Sequence, residues 1–137
     1  MKKMIDALII IDNSYREHLN LNLLKKIFEK KGLISRIISK HLFEDAINKY
    51  RPQIVITPRI TQNFKKIFDL SEKFDFNIFL LPCEHGGGDK DRIISFLVGH
   101  ENKDGYDLKD FKNYRKIKKI FAPSDIYKKI CLETKLF

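Results

Sequence analysis

Several features that would place this 137-residue chain in a familiar class are scarce in its sequence. The longest unbroken apolar runs are short, ALIII at 7–11 and IFLL at 78–81, whereas a membrane-spanning helix needs about 20 apolar residues. The N-terminus joins two lysines to a short apolar run but has no small-residue cleavage site after it, which argues against a secretory signal. These absences predict a cytoplasmic location.

Cysteine and glycine are also scarce, and their spacing excludes the common cofactor and metal motifs. The two cysteines, Cys83 and Cys131, form no CxxC pair and no metal-binding set with the four histidines. The first apolar run is not followed by GxGxxG, and no glycine-rich stretch ends in GK[ST]. We therefore expect neither a metal nor a tightly held cofactor, and two reduced thiols.

Charge is abundant and mostly positive, with a formal net charge of +9. A basic surface attracts nucleic acid, phosphorylated sugars or an anionic membrane face. The lysines are spread along the whole chain, however, as in the lysine-rich composition of an AT-rich genome. The densest basic segment, 109–119, is read first as a solvated linker or helix face, and second as a patch that contacts phosphate or a membrane.

Apolar runs of strand length alternate with helical periodicity along the chain. The predicted strands are 4–12, 33–39, 53–58, 76–82 and 119–124, and the predicted helices are about 15–31, 41–50, 61–74, 89–99 and 126–136. Residues 101–116 are predicted to be mostly loop. Five strand–helix repeats predict one Rossmann-like α/β domain over 1–137, a doubly wound five-stranded parallel sheet in three layers, α/β/α.

Local signals place the helix ends. Ser14 and Asp125 are predicted to cap the first and last helices, Gly32 to end the first, and the Arg51-Pro52 pair to stop the second. In the first helix, a three- and four-residue spacing marks the apolar side. Its members are Leu19, Leu23, Leu24, Ile27 and Phe28.

Ligands of such sheets bind in the crevice at the carboxyl ends of the strands, so residues at those positions are candidates for a site. Asp12 and Asn13 follow the first strand, with Arg16 shortly after, and Arg59 follows the third. Asp12 and Asn13 could form a turn and helix cap, or could orient a hydroxyl group. Arg59 could contact a carboxylate or phosphate, or be a solvated arginine.

The most unusual segment, EHGGGD, follows the fourth strand. Half of the six glycines lie here and let the backbone approach another group closely, while the next helix offers free N–H groups to an anion. Glu84 and His85 stand where a general base would reach a substrate. The open alternative is a glycine-rich loop with a solvated Glu and His. The segment's members are Glu84, His85, Gly86, Gly87, Gly88 and Asp89.

A five-stranded domain with an acid after the first strand invites comparison with response-regulator receivers. Receivers need an acidic pair there, an Asp after the third strand and a Lys after the fifth. This chain has Asp12-Asn13, then Thr57-Pro58-Arg59, then Ala122-Pro123, so it departs from the pattern.

The chain more closely resembles the N-terminal half of GT-B glycosyltransferases of bacterial surface-carbohydrate biosynthesis, those that build capsule and lipopolysaccharide. The resemblance rests on ALIIIDNSYREHLNLNLLKKIFEKKGLISRII, RPQIVITPRI, FNIFLLPCEHGGGD and YRKIKKIFAPSDIYKKICLE. In that family an acidic residue followed by glycines ends the fourth strand. The sequence given stops at Phe137, where a GT-B enzyme continues into a second domain that holds most contacts to the nucleotide sugar.

The resemblance implies an acceptor-side domain that needs a second domain for donor binding and turnover. Glu84 or His85 would serve as base or acceptor contact, the glycines and Asp89 would approach sugar or phosphate, and Asp12, Asn13, Arg16 and Arg59 would line the crevice. The implied partner is a sugar or glycolipid acceptor, with possible peripheral contact to the inner membrane face and no specific nucleic acid. The alternative is a non-catalytic basic α/β module that binds a partner protein or an anionic polymer.

Overall fold

The computed structural model of the chain describes residues 4–12, 14–59, 66–82 and 116–134. Within these ranges five strands form one sheet, in the order β2-β1-β3-β4-β5, and every neighbouring pair is parallel. The strands are β1 Ile5–Ile11, β2 Ser35–Ser39, β3 Pro52–Thr57, β4 Asn77–Leu80 and β5 Ile117–Ile120. The predicted five-stranded parallel α/β sheet is thus confirmed.

Helices alternate with these strands. They are α1 Ser14–Lys30, α2 Phe43–Tyr50, α3 Lys66–Phe74 and α4 Asp125–Thr134, and a short 3-10 turn, Lys40–Leu42, precedes α2. The second helix ends as predicted, because Arg51 turns left-handed (φ 47°) and its N–H closes onto the carbonyl oxygen of Ile47. The predicted helix at 89–99, the loop at 101–115 and the start of the third helix at 61–65 lie outside the described residues.

The strand order places a switch in chain direction beside β1. From β1 the chain goes to β2 on one side and then returns to β3 on the other, from which β4 and β5 continue outward. This flavodoxin-like order differs from the 3-2-1-4-5 order of dinucleotide-binding Rossmann domains. Its ligand crevice is expected where the direction switches, at the carboxyl ends of β1 and β3.

Successive side chains of a strand point to opposite faces of the sheet, and the side chains of β1 from Leu8 to Ile11 alternate accordingly. Leu8 and Ile10 join a core cluster with buried residues of α2, α3 and α4, whereas Ile9 and Ile11 join a second cluster with Leu21 of α1. Both faces of β1 are therefore buried, which explains its continuous rather than alternating hydrophobicity.

The first helix buries a different side from the one that its leucines predict. Leu21 is 1% exposed and Leu24 and Phe28 pack beside it, but Leu19 and Leu23 are 82% and 59% exposed. The apolar residues of α1 form two stripes on different sides of the helix, and only the one that contains Leu21 meets the sheet. Of the five residues predicted to mark the apolar side, Leu24 and Phe28 pack against the sheet, whereas Leu19, Leu23 and Ile27 are exposed.

The fifth strand begins two residues earlier than predicted, because a β-bulge changes its periodicity. Ile117 pairs with Ile78 and Lys119 pairs with the very next residue, Phe79, so Lys118 is the extra residue. Ile117 and Ile120 therefore face the same core cluster although they are three residues apart. A regular strand would send residues three apart to opposite faces.

The last helix begins at Asp125, and the cap is the preceding residue. The Ser124 Oγ accepts a hydrogen bond from the N–H of Tyr127 at 3.2 Å, so Ser124 replaces the predicted Asp125 in that role. At the amino ends of the strands, the Asp6 carboxylate accepts hydrogen bonds from the Ile34 N–H at 2.7 Å and from the Gln53 Nε2 at 2.9 Å. It thereby ties the starts of β1, β2 and β3 together.

Candidate functional site

The carboxyl ends of three adjacent strands bring three charged side chains together. Asp12 follows β1, Lys40 follows β2 and Arg59 follows β3. One carboxylate oxygen of Asp12 contacts the Lys40 Nζ and the other contacts the Arg59 Nη2. We call these three residues the strand-end cluster, and they lie at the switch point of the sheet.

Side chains of neighbouring residues hold the backbones of Asp12 and Arg59. The Asp12 N–H donates to the Glu17 Oε2 at 2.7 Å, and Glu17, in the first turn of α1, is only 3% exposed. The buried Thr57 hydroxyl donates to the carbonyl oxygen of Arg59 at 2.9 Å, fixing the chain as it leaves β3. The backbones of Asp12 and Arg59 are therefore each held by a side chain of a neighbouring helix or strand.

Exposure differs across the cluster. The Asp12 side chain is 7% exposed, whereas those of Arg59 and Lys40 are 23% and 33% exposed. The carboxylate therefore lies beneath the two cations, which reach solvent. An ammonium group carries three N–H donors, so Lys40 can hold Asp12 and still donate to a ligand.

The cations determine the protonation of Asp12. Burial alone would raise the pKa of this carboxyl, but contact with Lys40 and the charge of Arg59 outweigh it, and the pKa lies below its usual value of 3.8. Asp12 is therefore ionised at neutral pH. A carboxyl group whose pKa lies so far below neutral pH is a poor general acid or base. Its role is to accept hydrogen bonds and to orient a ligand.

The structure brings together two of the predicted site residues, Asp12 and Arg59, and leaves the others untested. Arg59 lies at the strand ends and pairs with Asp12. Arg16 belongs to α1, but its side chain is outside the described part. The remaining predicted residues fall outside the described ranges: Asn13, Glu84, His85, Gly86, Gly87, Gly88 and Asp89.

Sequence reasoning missed Lys40 and Glu17. The strand-end rule could have found Lys40, because it directly follows the second strand, as Asp12 and Arg59 follow the first and third. Glu17 gave only a weak signal, an acidic residue in the first turn of a helix. In the described ranges, no group of three or more His, Cys, Asp or Glu side chains could hold a metal ion. No described helix is long and apolar enough to cross a membrane.

Comparison with known proteins adds no assignment. No protein-family model, no curated protein and no solved structure matches the chain significantly. The resemblance to glycosyltransferases therefore stays a prediction.

Proposed function

We propose that this chain is the acceptor-side domain of a GT-B-like glycosyltransferase that acts in bacterial surface-polysaccharide synthesis. The observation that carries the proposal is the Asp12–Arg59 pair, formed where the direction of the sheet switches, with Lys40 beside it. Open parallel sheets bind their ligands at this position. The family resemblance supplies the reaction class, and the cluster supplies groups suited to an acceptor.

An acceptor sugar presents hydroxyl groups, and a glycolipid acceptor also presents phosphate. The ionised Asp12 accepts a hydrogen bond from a hydroxyl, whereas Arg59 and Lys40 are suited to phosphate or carboxylate oxygens. Asp12 orients the acceptor and takes no proton from it. By the resemblance, Glu84 or His85 is the base, and the three glycines, Asp89, Asn13 and Arg16 complete the crevice. In the proposed enzyme a second domain binds the nucleotide sugar.

Titration of the chain with a hexose 1-phosphate, followed by amide NMR, tests the acceptor site. We expect millimolar binding, with shifts at the ends of β1, β2 and β3, and a loss of at least fivefold in affinity for Arg59→Gln. The matched control is Lys66→Gln, which removes an exposed cation paired with Glu44 at 3.2 Å. Equal losses in the two variants, or shifts away from these strand ends, would refute the acceptor site.

Calorimetry with a nucleotide sugar tests whether the donor binds to a second domain and not to this one. The chain alone should bind it weakly, and micromolar affinity would show that the donor site has been misplaced. In an enzyme that contains both halves, His85→Ala and Glu84→Ala should each be assayed for sugar transfer. Wild-type turnover in both would exclude them as base. If the chain instead binds RNA or heparin with steep salt dependence, the polymer-binding alternative replaces the proposal.

A further inference from the structure

A concave site lies beside β5, two strands away from β3. It is a half-open cleft of about 250 Å³ between β5 and α4. Three lysines line it, Lys118 and Lys119 from the strand and Lys128 from the helix. The other lining residues are apolar or carry a thiol, including Ala122, Cys131 and Leu132, and none of the lining residues that the structure describes is acidic.

The lysines of the cleft differ from those that flank it. Lys116, just before β5, pairs with Glu72, and Lys129 pairs with Glu133 at 3.8 Å. Among the residues that the structure describes, no carboxylate pairs with Lys118, Lys119 or Lys128. The Lys119 Nζ instead lies 5.5 Å from the ring centroid of Phe121. Lys119 pairs with Phe79, whose side chain packs on the face of the sheet away from α4, so the amines that serve the cleft are those of Lys118 and Lys128. Two like charges beside one cleft repel each other, and an anion placed between them relieves that repulsion.

The floor of the cleft is neutral as well as apolar. Cys131 is half-buried, and burial raises the pKa of its thiol to about 11, so the group carries no charge at neutral pH. Leu132 is 69% exposed, although it lines a concave surface where an apolar ligand group would cover it. The cleft therefore combines a cationic rim with an apolar floor.

We propose that the cleft between β5 and α4 binds a small amphiphilic anion, with a carboxylate or phosphate head on a short apolar body. The head lies between the amines of Lys118 and Lys128, and the body lies over Ala122 and Leu132. The cationic rim of such a site binds the charged head of the ligand, and the apolar floor buries its apolar body. It is independent of the strand-end cluster and of the proposed sugar transfer.

Octanoate and octyl phosphate, each below its micelle-forming concentration, are suitable probes for calorimetry and amide NMR on the whole chain. We expect saturable binding with shifts in β5 and α4, together with protection of Cys131 from iodoacetamide, read by peptide mass spectrometry. Octanol and inorganic phosphate should each bind at least tenfold more weakly. Amide chemical-shift changes outside β5 and α4 with either probe would overturn the proposal. Octanol binding as tightly as octanoate would also overturn it.

Two double variants of equal charge separate a local site from general attraction. Lys118→Gln with Lys128→Gln should weaken octanoate binding by about fivefold to twentyfold, since each exposed ion pair contributes up to about fivefold. Lys116→Gln with Lys129→Gln should change it by less than twofold. Equal losses would assign the binding to net charge. Binding only to vesicles containing anionic lipid, or only to acidic polymers, would also refute a small-molecule site.

The lysines and the bulge of β5 have an alternative role, because both features blunt a sheet edge against pairing with another chain. In that case the first double variant would associate with itself and wild-type protein would bind neither probe. Sedimentation velocity of the two double variants measures this self-association directly. A monomeric Lys118→Gln, Lys128→Gln protein that loses octanoate binding supports the ligand site instead.

Discussion

The guanidinium of Arg59, which follows β3, pairs with the carboxylate of Asp12, which follows β1. The two residues are far apart in sequence, yet β1 and β3 lie side by side in the sheet. The ion pair therefore links the segments that follow β1 and β3, at the point where the strand order switches direction. A polar ligand that enters this crevice meets a cation that is already oriented by a buried anion.

Replacing Asp12 with Asn should destabilise the protein, because the amide leaves Lys40 and Arg59 beside a neutral group. We expect the free energy of unfolding to fall by about 1–2 kcal/mol, between the values for exposed and buried ion pairs. Urea denaturation measures it. Glu44→Gln, which removes the partner of the exposed Lys66, is the control and should cost no more than about 0.5 kcal/mol.

The effect of Asp12→Asn should also depend on pH, and its sign is fixed by the lowered pKa. The folded-state pKa of Asp12 lies below 3.8, so the folded protein binds this proton less readily than the unfolded chain. The stabilisation is complete above pH 3.8 and is lost as the pH falls through the folded-state pKa. Urea curves at pH 7 and in acid should show a smaller difference between wild type and variant in acid. A difference that grows in acid would contradict the assignment.

The thiol of Cys131 should react slowly at neutral pH. Its pKa is raised by burial to about 11, so at pH 8 it carries less thiolate than an ordinary cysteine. The rate of alkylation by iodoacetamide, followed for this residue by peptide mapping, should rise until about pH 11. The same residue in urea serves as the control and should level off near pH 9. Superimposable profiles would show that burial does not perturb the thiol.

A raised thiol pKa also contributes to stability in alkali. Because the folded state holds the Cys131 proton more tightly than the unfolded chain, the contribution is fully present below pH 9 and is lost as the pH rises to about 11. Cys131→Ala should therefore lose less stability than wild type between pH 9 and 11.

Gly32, in the turn between α1 and β2, should resist replacement by alanine. Its φ is +74°, a left-handed conformation that costs a residue with a Cβ atom about 1–2 kcal/mol. A Cβ atom there would meet nothing within 4 Å, so the cost comes from the backbone alone. Urea denaturation of Gly32→Ala should show it, and Gly32→Asn should cost less, since asparagine tolerates this conformation. Equal stability of wild type and Gly32→Ala would refute the argument.

The sequence was sufficient to predict the sheet, because continuous apolar runs such as 7–11 bury both faces of a strand. It was also sufficient to place Asp12 and Arg59 on the same side of the sheet, since the carboxyl ends of all strands of a parallel sheet lie on one side. It could not show that Asp12 holds Lys40 as well as Arg59, because that requires β2 to lie directly beside β1. It could not show which stripe of α1 meets the sheet either, because Leu19 and Leu21 have equal hydrophobicity and only packing distinguishes them.

The bulge at Lys118 gives the edge of the sheet a tolerance to changes in chain length. Without that residue Ile117, Lys119 and Ile120 would still stand opposite Ile78, Phe79 and Leu80. Loss of one residue there would leave both isoleucines in the core, whereas the same loss inside β1 would turn its following side chains to the wrong face. The rim of the cleft beside β5 can therefore change through insertion and deletion as well as substitution, while the core beneath it keeps its register.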